Sequence, residues 1–241
     1  MITGNNFNGE VTGYSRAVAV SRTFMAQVFS WMTLAMGITA FTAYYVAGSE
    51  KLLYSLINPE GGMTILGWIV LFSPFAFVLA MSVGFQRFSA ATLSLLFGVY
   101  AILTGASLSF ILLVYTSASV FKTFIVTAGM FGTMAVVGYT TKTDLTRFGS
   151  IMLMGLIGII IASLVNLFMR SGTMDYIISV LGVLIFTGLT AYDVQKLKRI
   201  GSGLEYGAEA TRKLVIMGAL TLYLDFINLF LFLLRFLGNR K

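Results

Sequence analysis

The chain has 241 residues, 58% of them hydrophobic and only 10% charged, with 16 basic and 9 acidic side chains and a net charge of +7. Soluble domains run near 45–50% apolar and about 25% charged, so this composition excludes a soluble globular enzyme; the mean hydropathy of +0.91 excludes disorder. There is no cysteine and no histidine, which removes disulfides, thiolate chemistry, imidazole bases and His-ligated metal. What remains is an all-α polytopic membrane protein that needs no cofactor and binds no nucleic acid, its basic excess being that of Lys and Arg held in cytoplasmic loops.

Charges are scarce enough to punctuate the chain. Residues 1–21 hold Asn, Gly, Glu and Thr with no apolar centre; they read as a mobile N-terminal tail rather than a signal peptide. Uncharged runs follow at 23–49, 61–86, 88–121, 123–141, 148–169 and 176–192, and a last apolar run at 214–234 is interrupted only by Asp225. A spanning helix needs about 20 apolar residues, so each run predicts one helix, seven in all. The third run is long, and its surplus predicts a loop around 115–119. Pro74 lies inside the second span, where a kink is expected. Gly155 and Gly158, and Ala101 and Gly105, read as packing notches, because small residues let membrane helices approach closely. One membrane domain covers 22–238, and 239–241 form the C-terminal end. The sixth loop, 201–213, is expected to be long.

Lys and Arg counting sets the orientation. The face with the N-terminus and the even loops carries Arg16, Arg22, Arg87, Lys142, Arg147, Lys196, Lys198, Arg199, Arg212 and Lys213. The other face carries Lys51, Lys122, Arg170, Arg235, Arg240 and Lys241. The bias predicts a cytoplasmic N-terminus and an outside C-terminus.

Two acids stand out. Asp225 lies 11 residues into the seventh run, about 16 Å along a helix. A carboxylate there costs roughly 2.5–3.5 kcal/mol on the insertion scale and is expected to face the protein interior or a water cavity. Asp193 ends the sixth span, and an interfacial pair with Lys196 is its plainer reading. The two helices are consecutive and antiparallel, so both acids approach the membrane from the same face. Flat arithmetic sets Asp225 deeper, and a meeting requires tilt, stagger or an unwound end. Thr221, Asp225 and Asn228 fall within about 60° on one helical face, and Thr187, Thr190 and Asp193 within about 120°. Thr hydroxyls also bond their own helix backbone, which is the plainer reading of those. Two adjacent carboxyls in low dielectric cannot both ionise cheaply, so they titrate as a unit around a shared proton. Without that proton they form an anionic, oxygen-lined spot suited to a hard cation.

At these residues the chain resembles the Bax inhibitor family, also called TMBIM or YccA-like proteins, with the bacterial YccA-like branch nearest. The segments that carry the likeness are TGLTAYDVQKLKRI (187–200) and GALTLYLDFINLFLFLLRFLG (218–238). FMAQVFSWMTLAMGITA (24–40), YAILTGASLS (100–109) and VFKTFIVTAGMFGTMAVVGYTTKTDLTRFG (120–149) add to it, so that it covers nearly all of 22–238. The resemblance implies seven helices with the last one central, a bacterial inner membrane location, and a pH-dependent calcium leak. It carries the pH-sensing pair onto Asp193 and Asp225, which also become a transient Ca²⁺ site. Thr190, Thr221 and Asn228 form the polar shell, and Arg87 is the one candidate for a basic residue that joins the network from the second-helix end. Some bacterial relatives associate with a membrane protease of FtsH type. Eukaryotic relatives suppress cell death and have basic C-terminal tails, a part of the likeness that the 239–241 end does not support.

Rival readings fare worse. Intramembrane aspartyl proteases share the YD motif and a second aspartate. They want Gly-x-Gly-Asp where Leu222-Tyr223-Leu224-Asp225 stands, and a proline element after it, yet no proline follows Pro74. A retinal protein needs a lysine on the last helix, and 214–234 has none. No GxxxxGK loop is present. No enzyme is expected. The main alternative to a leak is a non-transporting regulator or scaffold of a membrane partner, with the aspartates as a structural latch.

Overall fold

The computed structural model describes residues 5–58, 62–203 and 207–241, with residues 5–18 described by their backbone only. Among these are eight helices: α1 (Asn5–Ala47), α2 (Glu50–Leu56), α3 (Ile65–Gly84), α4 (Ala90–Val114), α5 (Ser117–Thr140), α6 (Thr146–Met169), α7 (Gly172–Ser202) and α8 (Ala208–Leu237). Seven are long and apolar enough to cross a membrane, with α1 contributing Ala19–Ala47. The eighth, α2, is a seven-residue helix in the first loop. The expected seven-span all-α architecture is the one observed.

Helix starts follow local chemistry. Thr64, Ser89, Thr116 and Ser171 each precede a span, and each side chain accepts the N–H three residues on, satisfying a donor that lacks an intrahelical partner. Tyr115 and Thr116 alone separate α4 from α5, so the surplus of the third run becomes a tight connector and an extra turn. The helix α3 continues through Pro74. Three expectations change. Helix α1 begins at Asn5, inside the segment read as a tail; residues 1–4 lie outside the described residues. The sixth loop is short, because α7 runs to Ser202 and α8 begins at Ala208; residues 204–206 of it lie outside the described residues. Of the proposed notches, Gly105 and Gly155 qualify but Gly158 does not. A Cβ on Gly105 would sit 2.5 Å from the Thr39 carbonyl oxygen and one on Gly155 3.1 Å from Ile185, whereas nothing lies within 4 Å of Gly158.

Helix α8 is central. It packs against α1, α4, α5 and α7, while α6 leans on α7 and α3 on α4. The core gathers Leu222, Tyr223, Leu229 and Leu234 of α8 with Phe24 and Val28 of α1, Leu93 and Phe97 of α4, and Ile178 and Val194 of α7.

Polar ties close both ends of the bundle. At one end the Ala90 N–H donates to the Glu209 carboxylate at 2.7 Å, and the Lys213 ammonium reaches the Phe85 carbonyl at the end of α3. At the other, Asn239 N–H donates to Ser119 Oγ and Lys241 N–H to the Val114 carbonyl. Residues 239–241 therefore strap across the α4–α5 connector.

Candidate functional site: two facing carboxyls in the α7–α8 pair

Register decides whether the two aspartates meet. Along the α7–α8 contact, Leu197 lies against Gly218 and Phe232 against Gly182, at distances where a Cβ on either glycine would collide. That antiparallel register sets Asp193 level with Leu222, within one turn of Asp225, about 5 Å along the axis. The first turn and a half of α8 extends past the end of α7. This stagger removes the depth mismatch that flat arithmetic gives.

The side chains use that proximity. The register and burial make Asp193 and Asp225 neighbours across the α7–α8 contact. Asp225 is only 5% exposed, and its Oδ2 is buried without a hydrogen-bond partner. Asp193 is half-buried. The interfacial pair weighed for Asp193 does not form. Among the described residues Lys196 makes no ion pair, and its ammonium lies 5.9 Å from the centre of the Tyr192 ring.

The candidate shell is near but otherwise engaged. Thr190 donates to the Phe186 carbonyl at 2.8 Å, Thr221 to Met217 at 3.0 Å, and the Asn228 amide to Leu224 at 2.8 Å. These are bonds to the helix's own backbone, the plainer reading of such residues. Their donors are therefore not aimed at the carboxyls. Arg87 is exposed, and its side chain makes no hydrogen bond or ion pair among the described residues. The neighbouring Lys213, not Arg87, reaches the end of α3.

Close packing holds Asp193 in place. A Cβ on Gly138 of α5 would run into the Ala191 backbone, and one on Gly149 of α6 into the Tyr192 ring. The two residues before Asp193 are thus seated in notches on two helices. On the other side, Phe226 meets Phe131 and Phe124 edge-on, each at 5.5 Å.

Two polar clusters escape a reading of the sequence. In the first, Tyr223 and Thr39 share a hydroxyl hydrogen bond at 2.7 Å, and Thr39 sits 2.9 Å from the Ala101 carbonyl. Tyr100 packs edge-on against Tyr223 at 5.4 Å. The signal available was Tyr223 within an apolar run, since its hydroxyl needs a partner in hydrocarbon. In the second, α7 clamps the α5–α6 loop. Gln195 accepts from Leu145 N–H and donates to the Thr143 carbonyl. Arg199 pairs with Asp144 at 2.6 Å and also bonds Gln195. Hydrogen bonds from Arg199 and then from Thr146 hold the Asp144 carboxyl well below the usual carboxylate range.

Seven apolar helices of membrane-spanning length, with α8 at their centre, define an integral membrane protein of the seven-span helical class. The particular family follows from comparison with known proteins. The family model described as inhibitor of apoptosis-promoting Bax1 matches residues 21–241. The inner membrane protein YbhL of Escherichia coli K12 is 48% identical over 221 residues, 91% of this chain and 93% of that protein. An uncharacterized protein of Borreliella burgdorferi is 44% identical over 96% of this chain and 98% of its own length. RP147 of Rickettsia prowazekii is 44% identical over 91% of each chain. The chain belongs to the Bax inhibitor family.

Proposed function

We propose that this protein is a pH-dependent cation leak, with Ca²⁺ as the transported ion, gated by a proton shared between Asp193 and Asp225. The observation that supports this reading is the buried Asp225 carboxyl, one oxygen unpartnered, within one turn of Asp193 along the α7–α8 contact. A shared proton makes a charge-assisted hydrogen bond that ties α7 to α8. Its loss leaves two negative charges at close range in low dielectric, where their repulsion is strong. The helices then separate around an oxygen-lined anionic spot that suits a hard cation. With only two carboxylates, the spot holds an ion briefly, as conduction requires. The reading is of a transporter and not an enzyme. It sits in a bacterial inner membrane, N-terminus cytoplasmic and C-terminus outside, as the basic-residue bias requires.

The test is Ca²⁺ flux into liposomes carrying the purified protein, scanned from about pH 5 to 8, beside Asp225→Asn. Asn keeps the shape and removes the titration. The expected result is a pH-dependent flux whose pH response disappears in Asp225→Asn and in Asp193→Asn. Folded protein that gives no flux above empty liposomes at any pH overturns the leak. The aspartates are then a latch in a non-transporting regulator, and a membrane protease of FtsH type is the first partner to try.

A further inference from the structure

An apolar cavity opens between α1, α4, α5 and α8. Met36, Ala40 and Tyr44 of α1, Leu108 and Leu112 of α4, and Phe121 and Phe124 of α5 form its walls, with Phe226 and Phe230 of α8 as its floor. Its volume is about 450 Å³, within the range of small-ligand sites, about 300–1,000 Å³. The lining is almost wholly apolar. Tyr44 and Phe121 at the rim are exposed, while Phe226 and Phe230 beneath are buried. The groove therefore opens sideways from the bundle at the depth of the spans.

Its shape selects among occupants. The lining runs from Met36 to Tyr44, eight residues or about 12 Å of helix. An apolar groove of that length, with almost no polar group to partner, suits an acyl chain. Charge supplies the other half. The strap of residues 239–241 crosses the rim of the groove, where the Lys241 ammonium reaches the carbonyl of the lining residue Leu112 at 2.8 Å. Arg240 lies 5.9 Å from the centre of the Tyr115 ring, and Lys122 follows the lining residue Phe121. All three cations are exposed.

We propose that this groove is a lipid site: it seats an acyl chain of an anionic phospholipid whose phosphate lies at Arg240 and Lys241. The proposal makes no use of the acid pair, so it stands or falls without the leak. A basic residue at an anionic membrane surface favours anionic lipid by about fivefold, and the two together by about 25-fold.

The experiment is native mass spectrometry of the full chain, released from vesicles of equal phosphatidylglycerol and phosphatidylcholine. The wild type is expected to retain one phospholipid, with phosphatidylglycerol favoured about 25-fold. Ala40→Trp fills the groove from an exposed position, outside the core, and is expected to retain none. The double variant Arg240→Gln, Lys241→Gln is expected to retain lipid with the preference reduced to near unity. A wild type that retains no lipid, or retains both lipids equally, overturns the proposal. So does an Ala40→Trp protein of unchanged melting temperature that retains as much lipid as the wild type. Should Ala40→Trp fail to fold, the double variant decides: an unchanged preference in it overturns the headgroup assignment and with it the site.

Discussion

Helices α6 and α8 are both long and uninterrupted, yet they live in different surroundings. In α8, 61% of the apolar stretch is buried inside the protein; in α6 it is 6%. The more hydrophobic of the two is α6, the one left facing outward. In water the ordering would be reversed. In a bilayer, lipid is as apolar as leucine, so helices associate through close packing and polar contacts rather than through hydrophobicity. Helix α8 carries Asp225, Asn228, Thr221 and Tyr223; α6 shows an apolar side, with Leu167 and Phe168 exposed. The polar interruptions identify the helix that is enclosed.

The largest test of this contrast compares truncations. Leu222→Ala, at a fully buried α8 position, is expected to cost about 2–5 kcal/mol as a cavity in a packed core. Leu167→Ala on α6 is expected to change stability by less than about 0.5 kcal/mol. Thermal or denaturant unfolding in micelles reads both, and equal effects break the distinction. Next comes the notch that seats α7. Gly138→Ala forces a methyl into the Ala191 backbone, which cannot rotate away, and is expected to cost about 1–3 kcal/mol. Under the leak reading it also displaces Asp193, so the pH response of flux shifts along with the melting temperature. Gly158→Ala, with open space around it, serves as the neutral control.

A smaller effect is expected at the first polar cluster. Thr39→Val removes the hydroxyl partner of Tyr223, and hydrogen bonds between membrane helices average about 0.6 kcal/mol. A loss of about 0.5–1.5 kcal/mol is therefore expected, with no change in the pH dependence of flux.

The smallest effect belongs to Asp144→Asn. The carboxyl of Asp144 is held low by Arg199 and Thr146. Its contribution to stability is therefore present above the ordinary Asp value, about 3.9, and is lost only as the pH falls through the much lower folded value. From about pH 5 to 8 it keeps one charge state. Asp144→Asn is thus expected to leave the pH profile of flux unchanged. A flattened profile moves the sensor from the acid pair to the α5–α6 loop.

Much of the architecture is legible in the residues because the bilayer acts on one segment at a time. Seven uncharged runs give seven spans, and a carboxylate in the last one marks an interior position. Failures came where the answer depends on a neighbour. Gly158 and Gly105 look alike as letters, but only Gly105 has a backbone pressed against it. Thr190 and Asn228 share a face with the aspartates, yet their donors close onto their own helix. The basic run after Asp193 reads as loop, yet it continues α7 and clamps the α5–α6 connection through Gln195 and Arg199.

The sequence by itself therefore determined the class of protein, the number of spans and the presence of a costly acid in the last helix, since each follows from the transfer of one segment into hydrocarbon. Only the tertiary structure decided that Asp193 and Asp225 come within one turn of each other along the α7–α8 contact. That depends on how far α8 slides along α7, which is set by where Leu197 and Phe232 seat on Gly218 and Gly182. Segment hydrophobicity carries no information about such a slide; interlocking side chains do.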